Sequence, residues 1–133
     1  MPVLKYKDGN EWKVVSKNVA YEKDNTLFKS MVDRSITEIK AEDLDGITSI
    51  EQEAFDWCDK LTSIELPDSI ITIMKYAFAN CYSLKTITIP KNVVSIRDRA
   101  FSGCRELVSI YLLNKDTTVD LSGDQLFLNC SKL

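Results

Sequence analysis

A chain of 133 residues, 44% hydrophobic and 28% charged, is long enough to bury its own core and too evenly mixed to be disordered or fibrous. Its net charge of −3, with both signs interspersed, gives no basic footprint for nucleic acid or an anionic membrane surface. No apolar run approaches the roughly 18 residues of a membrane span, so membrane insertion is not expected.

The N-terminal stretch MPVLKYKDGNEW has no apolar core and no small-residue cleavage site of the kind a signal peptide carries. Met1-Pro2 reads as a natural start, and the chain as soluble, with its compartment open. In VLKYKDGNEWKVV, apolar and polar residues alternate on both sides of Asp8-Gly9, where glycine supplies positive φ. This predicts a β-hairpin. Residues 1–30 are expected to form a segment distinct from the rest of the chain, either a cap over the open end of a stack or an attachment module.

Residues 31–133 read as about four repeats, the last one incomplete. The first unit is degenerate, with Ile36, Ile39 and Ala41 standing for Leu61, Ile64 and Leu66 of the next, and two extra residues in EDLDG before Ile47. After it the period is plain. Ala54-Phe55, Ala77-Phe78 and Ala100-Phe101 lie 23 residues apart, and Leu126-Phe127 comes after 26. Cys58, Cys81, Cys104 and Cys130 keep the same step, as do Leu61, Leu84, Leu107 and Leu133.

In each unit LTSIEL, LKTITI or LVSIYL ends in period-2 alternation with β-branched residues, the pattern of a short strand with one buried face. Pro67 and Pro90 stop two of these strands because proline cannot donate to a ladder. A second extended piece comes next, marked by Ile47 and Ile50, Ile70 and Ile73, and Val93 and Ile96. The Ala-Phe-x-x-Cys segment is too short for a regular helix and predicts a helical or 3₁₀ turn that drops Phe and Cys into the core. One unit cannot cover its own apolar edge, whereas stacked units bury a continuous core. The first strands should then form one parallel sheet of four or five strands along a face.

The pattern Leu-x-x-Ile-x-Leu/Ile-Pro-x-x-Ile/Val-x-x-Ile-x-x-x-Ala-Phe-x-x-Cys resembles the BspA-type (treponemal) leucine-rich repeat. The likeness spans about Ile36 to Leu133 and is nearly complete over residues 47–69 and 70–92. It implies an α/β-type leucine-rich-repeat solenoid, mainly β, with parallel strand stacking, short second strands and 3₁₀ or helical turns, here preceded by the N-terminal β-hairpin. It also implies a part in adhesion or protein recognition at a bacterial surface or in secreted form. The opening 15 or so residues are similar to short N-terminal segments of some phage and prophage tail-associated proteins.

In the last unit Leu113 replaces the proline, and NKDTTVDLSGDQ is three residues longer, with only Val119 and Leu121 as apolar anchors. The chain ends at LFLNCSKL, where the next strand would begin. Leu126, Phe127, Leu128 and Leu133 are therefore expected to expose apolar surface and strand edge, a candidate end-to-end interface. Truncation of a longer protein, or a self-covering or dimeric end, would account for this.

The chemistry-bearing residues favour a structural role. Zinc sites pair ligands two to four residues apart, whereas these cysteines occupy one position per repeat and the chain has no histidine. The expectation is a core ladder of Phe55, Phe78, Phe101 and Phe127 beside free thiols at Cys58, Cys81, Cys104 and Cys130, with no metal and no cofactor. The lack of histidine and of nucleophile or phosphate-loop motifs argues against an enzyme and leaves no catalytic residue to name. Glu51, Glu53, Asp56, Asp59, Glu65 and Asp68 fall at varied repeat positions, as a solvated surface would. Asn129, in a formal glycosylation triplet, is expected to satisfy backbone groups in its turn, and Arg97-Asp98-Arg99 to be a surface feature.

Strand alternation places Ser63 and Glu65 outward if Ile64 and Leu66 face the core. The same parity selects Glu38, Lys40, Thr86, Thr88, Ser109 and Tyr111. These eight residues are the candidate binding face, with exposed tyrosine suited to recognition. The reading is a non-catalytic recognition or adhesion module for a protein or a surface glycan. The alternative is a structural or accessory part of a larger cell-surface or phage-tail assembly, joined through the hairpin or by self-association at the C-terminal edge.

Overall fold

The computed structural model describes residues 5–8, 11–14, 26–27, 32, 34–114 and 119–133. β1 (Lys5–Asp8) and β2 (Glu11–Val14) pair antiparallel, Lys5 opposite Val14 and Asp8 opposite Glu11. The predicted hairpin is therefore present, and the glycine of its turn lies outside the described residues.

The remaining strands are short and pair only in parallel: β3 (Thr26–Leu27), β4 (Glu38–Ile39), β5 (Ser49–Ile50), β6 (Ser63–Ile64), β7 (Thr72–Ile73), β8 (Thr86–Ile89), β9 (Ser95–Ile96) and β10 (Ser109–Leu112). The chain is a mainly-β solenoid in which each repeat contributes to two strand walls and one wall of turns. The first wall differs from the expected continuous sheet, being divided into the pairs β4-β6 and β8-β10. β6 ends at Ile64, while β8 runs on to Ile89 directly before Pro90, so the two strands offer unequal ladders to each other. The unbroken sheet belongs to the second extended piece, in the order β3-β5-β7-β9. There Leu27, Ile50, Ile73 and Ile96 stand side by side in register, and Asp120 extends the wall by a bridge to Ser95. Short strands pair well here because near-identical residue types meet at every step.

The Ala-Phe-x-x-Cys corner is not helical, and its backbone shows why. The residue before alanine (before Leu126 in the last corner) and the residue before cysteine take left-handed conformations at all four corners from Glu53 on: Glu53 and Trp57, Tyr76 and Asn80, Arg99 and Gly103, Gln125 and Asn129. This aims alternate N–H groups out of the repeat. Tyr76, Phe78 and Asn80 donate to the Asp98, Ala100 and Ser102 carbonyls at 3.1, 2.7 and 2.7 Å, while Ala77, Ala79 and Cys81 donate back within their own turn. The same alternation repeats from Glu53 to Cys58 and from Arg99 to Cys104. A helix would turn all its N–H groups inward along its own axis and leave the repeats unjoined.

The core lies between the three walls. Phe55, Phe78 and Phe101 are fully buried and stack in parallel, with centroids 5.1 and 5.4 Å apart, and Phe127 continues the stack at 6.1 Å. Beside them Cys81, Cys104 and Cys130 thiols donate to the Phe55, Phe78 and Phe101 carbonyls of the preceding repeat at 3.3, 3.1 and 3.0 Å. All four cysteines are free. Arg34 closes the first step, donating through Nη1 to the Ala54 carbonyl at 2.7 Å and to Cys58 Sγ at 3.3 Å.

Burial pushes the Cys58 thiol above its ordinary value despite the opposing charge of Arg34. Cys130 is raised by its contact with Cys104 and by burial. For Cys104 the Cys130 contact pulls downward, but the Cys81 contact and burial outweigh it and the net direction is up. The unfolded chain releases the protons of Cys58, Cys104 and Cys130 above about pH 8.5 while the folded chain holds them to higher pH, so stability falls as pH rises through that range. We expect the urea midpoint to drop between about pH 8 and about pH 10, with a shallower drop in Cys104→Ala. An unchanged slope in that variant would remove the ladder as its source.

Candidate functional site

On the first strand wall the inward residues Ile39, Ile64, Ile87 and Ile89 are buried and anchor the outward ones. Glu38, Lys40, Ser63, Glu65, Thr86, Thr88 and Tyr111 are exposed, and Ser109 is half-buried. Register sets Glu38 beside Ser63, Ser109 beside Thr86, and Tyr111 beside Thr88. The Glu65 N–H donates to the Ile39 carbonyl at 2.9 Å, which fixes its strand position just past the end of β6.

Where the wall divides there is a cleft of about 280 Å³, lined by Ala41, Ile64, Glu65, Leu66, Asp68, Thr88, Pro90 and Leu113. It brings Glu65 and Thr88 together from the two strand pairs. Glu38, Lys40, Ser63, Thr86, Ser109 and Tyr111 do not line it. The cleft joins an apolar floor to the carboxylates of Glu65 and Asp68, and Asp68 lies 3.8 Å from Lys91 in an exposed pair of small energetic weight. At its rim Tyr111 is 55% exposed, and Leu112 and Leu113 are exposed beside it. Strand alternation would place Leu112 inward with Leu66 and Ile89. It is outward-accessible because β10 is the last strand of its ladder, and among the described residues no further strand pairs with it. Leu113, in the place of the proline of earlier repeats, was the sequence signal for this apolar rim.

The C-terminal face differs from expectation at one position. Leu126 occupies the alanine column and is only 6% exposed, its carbonyl accepting from the Phe101 N–H at 3.1 Å. Phe127, Leu128 and Leu133 are exposed. Among the described residues, the N–H groups of Gln125, Phe127 and Asn129, whose equivalents donate forward in earlier repeats, have no acceptor. Of the two apolar anchors expected ahead of this face, Val119 is buried and Leu121 is exposed, because Asp120 takes the bridge to β9.

The other sequence candidates fall away from both places. The Asn129 side chain makes no hydrogen bond among the described residues, and its residue type serves the left-handed backbone at φ 63° instead. Arg99 donates to the Tyr76 hydroxyl at 2.6 Å and to Gln125 Oε1 at 2.7 Å, and the Asp124 N–H donates to Asp98 at 2.8 Å. Asp98 and Arg99 thus brace the turn wall, and Arg97 is exposed. No group of three or more His, Cys, Asp or Glu side chains placed to hold a metal occurs among the described residues. No described helix is long and apolar enough to cross a membrane.

A family model described as BspA type leucine-rich repeat region matches residues 24–133 in six copies. Among solved structures the chain is similar to a leucine-rich repeat protein from Bacteroides capillosus, at 25% identity and TM-score 0.56 over 84% of this chain and 73% of that one. It is also similar to a leucine-rich cell surface protein from Faecalibacterium prausnitzii, at 25% identity and TM-score 0.55 over 84% of this chain and 34% of that one. A leucine-rich repeat protein from Bacteroides ovatus matches at 25% identity and TM-score 0.55 over 100% of this chain and 37% of that one. The chain spans about a third of the last two proteins. No match was found among curated proteins.

Proposed function

The chain belongs to the BspA-type leucine-rich repeat family, and from that premise we propose that it is a non-catalytic recognition or adhesion module that engages a protein or a surface glycan through the first strand wall. The observation that carries this reading is the cleft at the division of that wall, where Glu65 and Thr88 meet beside the exposed Tyr111, Leu112 and Leu113. Its side chains stand on strands anchored by buried isoleucines, so little ordering cost attends binding. The likeness to a cell surface protein supports placing the chain at a bacterial surface.

The test is affinity capture from a surface extract, then quantitative binding to the captured partner. Glu65→Arg and Tyr111→Ala should each weaken binding by about tenfold or more, the scale of a well-packed interface residue. Removal of residues 1–24, which leaves β3 intact, should leave it unchanged. The reverse result, with binding lost on truncation and kept in the wall variants, would replace this reading by attachment through the N-terminal segment.

The C-terminal face supports a second, assembly reading, in which a second molecule accepts from the Gln125, Phe127 and Asn129 N–H groups and covers the Phe127 ring. Light scattering over a concentration series distinguishes it. A concentration-dependent rise in mass that Phe127→Asp abolishes would favour assembly, and a constant monomer mass would oppose it.

A further inference from the structure

Two columns on the turn wall, away from the first strand wall, flank the cysteine ladder. The residues before cysteine are Trp57, Asn80, Gly103 and Asn129, and those after it are Asp59, Tyr82, Arg105 and Ser131. Gly103 opens a gap in the first column, and there the surface forms a cleft of about 420 Å³ lined by Asn80, Tyr82, Gly103, Arg105, Asn129 and Ser131. That volume falls in the range of small-ligand sites. A Cβ at Gly103 would come within 2.4 Å of Asn80 Oδ1, so glycine is what lets the Asn80 side chain lie against the backbone at the cleft floor.

The lining is specific in its chemistry. Among the described residues Arg105 is its only charged side chain, and no carboxylate is among those that line it. The guanidinium carbon lies 4.5 Å from the Tyr82 ring centroid, a cation–π contact that leaves guanidinium N–H groups for an anion. The neighbouring carboxylate of Glu106 is engaged by Lys132 at 2.7 Å. Asn80 donates through Nδ2 to Asp56 at 3.2 Å, which turns its Oδ1 acceptor toward the Gly103 gap. Asn129 and Ser131 have no side-chain hydrogen bond among the described residues. Trp57, 53% exposed, meets Tyr82 edge to face at 5.5 Å and extends the aromatic surface past the cleft.

From this geometry we infer that the cleft binds an acidic saccharide, with the carboxylate of a uronic-type sugar on Arg105, its hydroxyls on Asn80, Asn129 and Ser131, and an adjoining ring against Trp57. A planar cationic fork selects carboxylate, and the amides and hydroxyl match a polyol. Aromatic faces beside them match the apolar face of a pyranose. A peptide carboxylate would use the same fork and its backbone the same amides, so an acidic peptide is the competitor the titration includes. The site is separate from the strand wall and does not rest on its role.

The experiment is a titration of the full chain with trigalacturonic acid, maltotriose and the acetylated peptide Asp-Asp-Asp, read by calorimetry and by ¹H–¹⁵N chemical shifts. Trigalacturonic acid should bind at least about tenfold more tightly than maltotriose, and Arg105→Ala should remove that preference, a charge-assisted pair being worth about that factor. The Trp57 indole and the Gly103 amide should shift. The shift map of the unaltered chain stands independently of whether any variant folds. Equal affinity for the neutral sugar, tighter binding of the peptide, shifts elsewhere on the surface, or no binding at millimolar sugar would overturn the inference.

Discussion

Phe78→Ala is expected to destabilise the fold by about 4–5 kcal/mol, near the upper end for removing a buried aromatic ring. The ring is fully buried between Phe55 and Phe101, at 5.1 and 5.4 Å, with its plane within 6° and 4° of theirs. Its loss therefore opens a cavity and removes two stacked contacts at once, each worth about 0.5–1.5 kcal/mol beyond area burial. The backbone around it is braced, with the Phe78 N–H on Ala100 and its carbonyl accepting from Cys104, so the walls cannot close over the gap. Typical domains hold only about 5–15 kcal/mol in all.

In a solenoid, such a loss is paired with a loss of cooperativity, because each repeat is stabilised by its nearest neighbours. Urea unfolding of Phe78→Ala monitored by circular dichroism should show a lower midpoint and a shallower or two-step transition. Phe127→Ala is the internal comparison. That ring has one stacked neighbour, at 6.1 Å, and is 37% exposed, so its truncation should cost about 1–2 kcal/mol. Equal costs for the two would mean that the ring stack does not couple the repeats.

The residues that lie in this stack could be read from the sequence because registered repeats place like on like. Once Ala54, Ala77 and Ala100 stand in one column, the neighbouring Phe and Cys columns are set, and so is the alternation that exposes Glu65, Thr88 and Tyr111. The corner was different. Its left-handed residues include Glu53, Trp57, Tyr76, Arg99 and Gln125, none of a type that signals such a backbone. The amide ladder to the next repeat imposes the conformation, and that ladder is tertiary. Column reasoning also fails at the last repeat, where Leu112 is exposed for want of a further strand, while Leu126 stays inward under the Phe101 amide. The division of the first wall had no marker, since β6 and β8 carry similar sequences and differ in where their ladders end. The saccharide cleft was within reach of the period alone: writing Tyr82 and Arg105 as neighbours in the column after cysteine sets a guanidinium beside a ring, with the Gly103 gap next to them.

That gap sets the second large expectation. Gly103→Ala should cost about 2–3 kcal/mol, from two separable sources. Its φ of 77° is left-handed, which any side chain resists by about 1–2 kcal/mol. The new Cβ would also meet Asn80 Oδ1 at 2.4 Å, and Asn80 can move only by giving up its bond to Asp56 at 3.2 Å. Asn129→Ala, at φ 63° in the same column and with its side chain exposed, measures the backbone part without the collision. Asn80→Ala combined with Gly103→Ala measures the collision, and the pair should be less than additive by about 1 kcal/mol or more, as contacting positions are. Additive losses, or a Gly103→Ala cost no greater than that of Asn129→Ala, would mean that the corner yields to a side chain there. In that case the Asn80 side chain is not held against Gly103, and the shape assigned to the acidic-sugar site would owe nothing to glycine.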